Sequence, residues 1–142
     1  MEVSNMYTKI LVPVDGSEHA LRATEEAIRL ASTAATIELL YVADAEKARQ
    51  EMLHASSPDA LLLARRQLLA PFEARVQAAG IAVKTTILKG VPGPTIVVYA
   101  NEQDVDVVVI GSRGLNTLQE MVLGSVSHKV MKRVQCPVLV VK

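Results

Sequence analysis

The sequence predicts an α/β fold, an open parallel sheet with helices packed on both faces. Three observations carry that expectation. Short runs of strand-forming aliphatic residues recur along the chain, separated by segments with helical spacing. Most of these runs are apolar throughout rather than alternating, as strands are when helices cover both of their faces. Half of the residues are hydrophobic but only 3% are aromatic, so Val, Ile, Leu and Ala supply the apolar mass. At 142 residues one domain is expected, spanning 1–142, with a core large enough to need no disulfide or metal staple.

The elements follow in order. Lys9–Val14 reads as a buried strand, and Asp15-Gly16-Ser17 turns the chain. Ser17 or Asp15 can cap the next helix, whose inward face carries Ala20, Thr24, Ala27, Ile28 and Ala31. Ile37–Val42 is the second strand. Asp44–Asp59 has no strong periodicity and reads as a mobile loop with a helical piece at Glu46–Leu53. A long helix from about Ala60 to Ala79 ends at Gly80, with Leu61, Leu62, Leu68, Leu69, Phe72, Val76 and Ala79 as its core stripe. Pro71 lies inside it and is expected to kink or interrupt it. Val83–Leu88 is the third strand and Gly90–Pro94 a turn. Thr95–Glu102 is a short helix with Ile96, Val97, Tyr99 and Ala100 inward. Val105–Ile110, a helix at about Ser125–Val134, and the strand Val138–Val141 complete the chain.

Fifteen basic and fifteen acidic residues cancel, so nothing marks the surface as a nucleic-acid or anionic-membrane partner. A single cysteine, Cys136, precludes an internal disulfide and fits a reducing compartment. No stretch approaches the roughly 20 apolar residues of a membrane span, and a cytoplasmic location is expected. His19, His54 and His128 lack metal-ligand spacing and read as surface residues.

The most informative motif is Gly111-Ser-Arg-Gly114, then nine residues, then Gly124-Ser125. Glycines at the exit of a buried strand let backbone N–H groups approach an anion. The helix that starts at Ser125 adds unpaired N–H groups and the positive end of its dipole. The set reads as a phosphate cradle made of backbone, against the simpler reading of a structural loop. Ser125 can donate to a phosphate or merely cap its helix, and Arg113 can pair with phosphate or stay a solvated charge. Asp15 ends the first strand, where open α/β sheets bind ligands. It can accept hydrogen bonds from ribose hydroxyls or an adenine amine, or it can simply form the Asp-Gly turn.

Other signatures are absent. There is no G-x-x-x-x-G-K-[ST], no G-x-G-x-x-G after the first strand and no G-x-S-x-G. With no lysine to grip a terminal phosphate and no evident base, catalysis is not expected beyond slow hydrolysis. A bare apolar strand such as Val138–Val141 invites pairing with a second chain at a sheet edge, and a homodimer through it is expected. The alternative is a central strand, or one covered within the monomer.

Together these residues resemble the universal stress protein family. Ile10-Leu-Val-Pro-Val-Asp15-Gly-Ser17 looks like its opening strand, Gly111-x2-Gly114-x9-Gly124-Ser125 is similar to its ATP-binding motif, and Cys136–Val141 resembles its usual ending. The resemblance implies a five-stranded parallel sheet of order 3-2-1-4-5, dimeric through strand five, in a stress-response protein that binds ATP, with Mg2+, between strands one and four. It implies that Asp15 contacts the adenosine part with Pro13 and Val14 beside it. Val42 and Ile110 would line the adenine pocket. Gly111, Gly114, Gly124, Ser125 and Val126 would hold ribose and phosphates, with Arg113 in the same loop. The residues between Gly114 and Gly124 include no lysine or arginine, which departs from many members and weakens phosphate binding or leaves neutralisation to Mg2+. Alternatives are an interaction module with an unused pocket, a site for AMP or cyclic AMP, and a nucleotide-activating enzyme. The last is disfavoured because Asp15-Gly-Ser-Glu18 is not a pyrophosphate loop.

Overall fold

The computed structural model describes residues 7–113 and 123–142. Among them the chain runs β1 (Lys9–Pro13), α1 (Glu18–Leu30), β2 (Thr36–Ala43), α2 (Ala45–His54), α3 (Pro58–Ala78), β3 (Ala82–Lys89), α4 (Pro92–Glu102), β4 (Val107–Gly111), α5 (Ser125–Arg133) and β5 (Val138–Val141). The strands form one sheet of order β3-β2-β1-β4-β5, and every neighbouring pair is parallel. The architecture expected from the sequence is the one observed.

Residue alternation along the central strands feeds two cores. Ile10 and Val12 of β1, Ile37, Leu39 and Tyr41 of β2, and Val107 and Val109 of β4 pack under α1 and α3. Leu11, Leu40, Val42, Val108 and Ile110 point to the other face, under α4 and α5. Both faces being covered is why β1 and β4 read as unbroken apolar runs. α1 buries Ala20, Ala23, Thr24 and Ala27. Ala23 thus takes a place assigned to Ile28 and Ala31, which are only partly buried. Small side chains there let α1 lie close to the sheet.

Several local expectations need correction. The helical piece expected at Glu46–Leu53 is there as α2, one residue longer at each end, but the rest of residues 44–59 is less of a loop than expected because α3 already starts at Pro58. α2 is a surface helix with little apolar periodicity, and it is held by Glu51, which takes an ion pair from Arg65 at 3.1 Å and a hydrogen bond from the Tyr41 hydroxyl at 3.3 Å. Pro71 does not interrupt α3, which runs unbroken from Pro58 to Ala78. Pro71 and Gln67 are both exposed, so the carbonyl that a proline leaves without its helical partner can be met by water. The stripe of α3 is shorter than expected. Leu69, Phe72 and Val76 are buried, whereas Leu62 and Ala79 are exposed. The turn assigned to Gly90–Pro94 is in part the first turn of α4, where Pro92 and Pro94 need donate no N–H. β4 starts two residues late because Asp106 is engaged elsewhere. Its carboxylate accepts the amides of Thr8 at 3.0 Å and Lys9 at 2.8 Å, tying the two chain segments before the strands pair.

One glycine fixes how α1 meets the sheet. A Cβ at Gly111 would sit 2.9 Å from the backbone C and O of His19, in the first turn of α1. Backbone on both sides cannot give way cheaply. Gly80 is a different case, needed only for its φ of +75° after α3, with nothing within 4 Å of a built Cβ. Gly111→Ala is therefore expected to lose about 1–3 kcal/mol through overpacking, against about 1 kcal/mol for Gly80→Ala from left-handed strain alone. Urea denaturation of both variants checks this, and a Gly111→Ala protein no less stable than Gly80→Ala would contradict it.

Candidate functional site

The strand order reverses between β1 and β4, and the chain leaves their carboxyl ends in opposite directions there. A cavity of about 210 Å3 occupies this position. Ten of the residues singled out from the sequence line it: Pro13, Val14, Asp15, Val42, Ile110, Gly111, Arg113, Gly124, Ser125 and Val126. Gly114 lies outside the described residues. Sequence reasoning missed Ser17 and Ala20 of α1, Leu40 and Asp44 around β2, Pro92 and Ile96 of α4, and Ser127 of α5. Ala20, Leu40 and Ile96 carried only a core signal, and nothing in a single sequence distinguishes core from cavity floor.

The β1 side is built by a tight turn. The Val14 amide still donates to the Leu40 carbonyl at 2.9 Å, so the chain leaves the sheet only at Asp15. Asp15 Oδ1 then accepts the Ser17 amide at 3.0 Å, across a Gly16 whose φ is +86°. Ser17 in turn caps α1, its hydroxyl accepting the Ala20 amide at 3.1 Å. The turn-forming role of Asp15 is therefore real, and it coexists with a place on the cavity wall.

The β4 side is a junction of three chain segments. The Ser112 amide donates to Val141 of β5 at 2.7 Å. The Gly124 amide donates back to the Ser112 carbonyl at 2.8 Å, and the Ser127 hydroxyl donates to the Gly111 carbonyl at 2.6 Å. These bonds pin the start of α5 against the strand ends. The first intrahelical bond runs from His128 to the Gly124 carbonyl at 2.9 Å. The amides of Ser125, Val126 and Ser127 precede it and have no partner within the helix. Gly124 is the N-cap and has no side chain to satisfy them.

Two roles read from the sequence change as a result. The missing Cβ of Gly111 accommodates α1 rather than an anion. The amide of Gly124 is already bonded to Ser112, so the first-turn amides without a helical partner are the three that follow it. His54 and His128 are exposed as expected, but His19 is half-buried. Burial, followed by the charges of Arg113 and Arg22, lowers its pKa from the usual 6.5, with Asp15 and Glu18 opposing.

The arrangement offers an anion the positive end of α5, three amides and Arg113. Leu40, Val42, Ile96 and Ile110 offer a flat apolar group a dry floor, and Asp15 and Asp44 offer acceptors at the rim. A larger and more open groove of about 520 Å3 lies beside it, between α2 and α3, and shares Asp15 as a wall. Its Tyr41 hydroxyl is pushed up to about 12, first by burial and then by the Glu51 charge, so it stays protonated. The first turn of α3 reaches that groove at Ala60, but its amide already donates to the Ser57 hydroxyl at 3.1 Å, which leaves the smaller cavity as the better anion site.

Among the described residues no helix is long and apolar enough to cross a membrane. Comparison with known proteins gives a consistent picture. The universal stress protein family matches residues 6–142. Universal stress protein MJ0531 of Methanocaldococcus jannaschii is 32% identical over 150 residues, covering 97% of this chain and 84% of the relative. A universal stress protein crystallised in complex with cAMP superposes with a TM-score of 0.71 at 27% identity, covering 96% of this chain and 98% of that one. A family member from Arabidopsis thaliana with AMP bound gives 0.67 at 25% identity, covering 95% and 91%. The chain belongs to the universal stress protein family.

Proposed function

We propose that this protein binds an adenine nucleotide in the cavity between β1 and β4 and acts as a cytoplasmic stress-response regulator whose conformation or partners change with occupancy. One observation carries the reading. The amides of Ser125, Val126 and Ser127, left without helical partners, meet an apolar floor and the Asp15 carboxylate in one cavity. Adenine would lie against Val42 and Ile110, with Pro13 and Val14 beside it. The ribose hydroxyls would donate to Asp15. The phosphate would rest on the α5 amides with Arg113 alongside, and Gly114 would belong to the same loop. Two related proteins with bound cAMP and AMP support the adenosine part. The likeness of the Gly111, Gly114, Gly124 and Ser125 spacing to the family's ATP-binding motif supports ATP with Mg2+ as the ligand. The cavity wall presents no lysine among its described residues and no base poised over a phosphate, so the reading is of binding rather than turnover. The single thiol, Cys136, fits a reducing compartment.

Ser125→Asp tests the phosphate position. A carboxylate at the first position of α5 favours the helix through its dipole while repelling a phosphate. Thermal stability is expected to stay the same or rise, while adenine-nucleotide affinity measured by calorimetry falls about tenfold or more. Unchanged affinity would place the phosphate elsewhere.

A homodimer through β5 belongs to the same proposal. β5 is an edge strand, its pairing with β4 leaving one side without a partner among the described residues, and Leu139 is 39% exposed on it. Such an edge is open to a second copy. Light scattering is expected to give twice the chain mass at micromolar concentration, with Leu139→Lys shifting it toward the monomer. A wild-type monomer would remove this part of the proposal.

A further inference from the structure

We infer that the groove between α2 and α3 is a second subsite, one that takes a compact apolar group, an acyl or aromatic ester, carried on a ribose hydroxyl of the bound nucleotide. This rests on the nucleotide-binding reading above and extends it to a surface which that reading leaves unused. The groove and the cavity share one wall residue, Asp15. They open on either side of the same strand end, since Val42 lines the cavity and the preceding Tyr41 lines the groove. The turn that begins at Asp15 lies between them. A Cβ at Gly16 would sit 2.7 Å from Leu68 Cδ1, so α3 rests directly on that turn. In the pose above the ribose hydroxyls face Asp15. A substituent on one of them therefore points toward the groove, while the other still donates to the carboxylate.

The groove has the size and chemistry of a site for a neutral group. Its volume of about 520 Å3 falls within the range of small-molecule pockets, about 300–1,000 Å3. Leu61, Ala64 and Leu68 of α3 give it an apolar wall. The charge of Glu51 is already matched, by the Arg65 ion pair at 3.1 Å and the Tyr41 hydrogen bond at 3.3 Å. That pair is largely buried, with the Arg65 and Glu51 side chains 11% and 23% exposed. Tyr41 is itself buried, and its hydroxyl stays protonated. A cation entering the groove would compete with Arg65 for Glu51, and breaking a buried pair is costly. An anion would meet the Glu51 carboxylate. An uncharged apolar group does neither, and it displaces water from the α3 wall. Continuity with the cavity selects an occupant joined to the nucleotide over a separate molecule. A tethered group enters at high effective concentration and needs few contacts of its own.

Titration of the full chain with ATP and with its 2′/3′-O-(N-methylanthraniloyl) ester, both with Mg2+, tests this by calorimetry and by the fluorescence of the ester. The ester is expected to bind about tenfold more tightly than ATP, with its fluorescence rising as the aromatic group leaves water. Ala64 lines the groove and is an exposed position on α3, so Ala64→Gln keeps the helix while placing a polar side chain in the groove. That variant is expected to narrow the gap about threefold or more and to bind ATP as the wild type does. An ester bound no more tightly than ATP overturns the inference and leaves the nucleotide reading standing. So does a gap unchanged in Ala64→Gln, which places the aromatic group elsewhere. A mass by light scattering that falls in Ala64→Gln shows a second copy seated in the groove, and this too overturns the inference. Absence of binding by both ligands removes the inference and the nucleotide reading together.

Discussion

The carbonyls of Gly111 and Ser112 each accept a hydrogen bond from the start of α5, and the site depends on that junction. Without it the helix could slide or tilt, and the amides of its first turn would face solvent instead of the crevice. The Ser112 amide completes the lock by donating to Val141, so the ends of β4, β5 and α5 are held as one unit. Each bond is worth only about 1 kcal/mol net. Their value lies in direction, since a preorganised set of donors loses little freedom when an anion arrives. The same junction explains two serines that would otherwise look alike. Ser127 is buried and structural, whereas Ser125 is exposed at the first helical position and remains available to a ligand.

The opposite wall is set by a second constraint, the approach of α1 to β4. Gly111 permits it by lacking a Cβ, and Ala20 and Ala23 permit it by being small. Ser17 caps the helix from within the turn that Asp15 closes. The cavity therefore lies between two helix starts, α1 and α5, above an aliphatic floor. Among the described residues, the groups that line it are backbone donors, serine hydroxyls, a guanidinium and two carboxylates.

Much of this was legible in the sequence because it was written in redundant signals. β1 and β4 are buried on both faces, and unbroken runs such as Ile10–Val12 and Val107–Ile110 have no other good home. Residues at strand ends and helix starts, such as Asp15, Gly124 and Ser125, advertised the cavity through spacing. The strand order came from family resemblance rather than from pattern, since alternation of strands and helices does not order a sheet. What stayed hidden has physical causes. α2 is held by Glu51 to Arg65 and Tyr41, contacts between residues distant in sequence that leave no periodicity. Pro71 is tolerated because the face it disrupts is wet. Asp44 and Ser127 gave no local sign of facing a crevice. The Cβ space at Gly111 is taken by another helix, which no reading of its neighbours in the chain would suggest.

The most direct test of the central claim follows the amide resonances of the isotopically labelled chain during titration with AMP. The account predicts the largest shifts at Ser125, Val126 and Ser127, with Gly124 moving less because its amide is already bonded to Ser112. Shifts centred on Tyr41, Glu51 and His54 in the neighbouring groove, with the start of α5 unmoved, would contradict it.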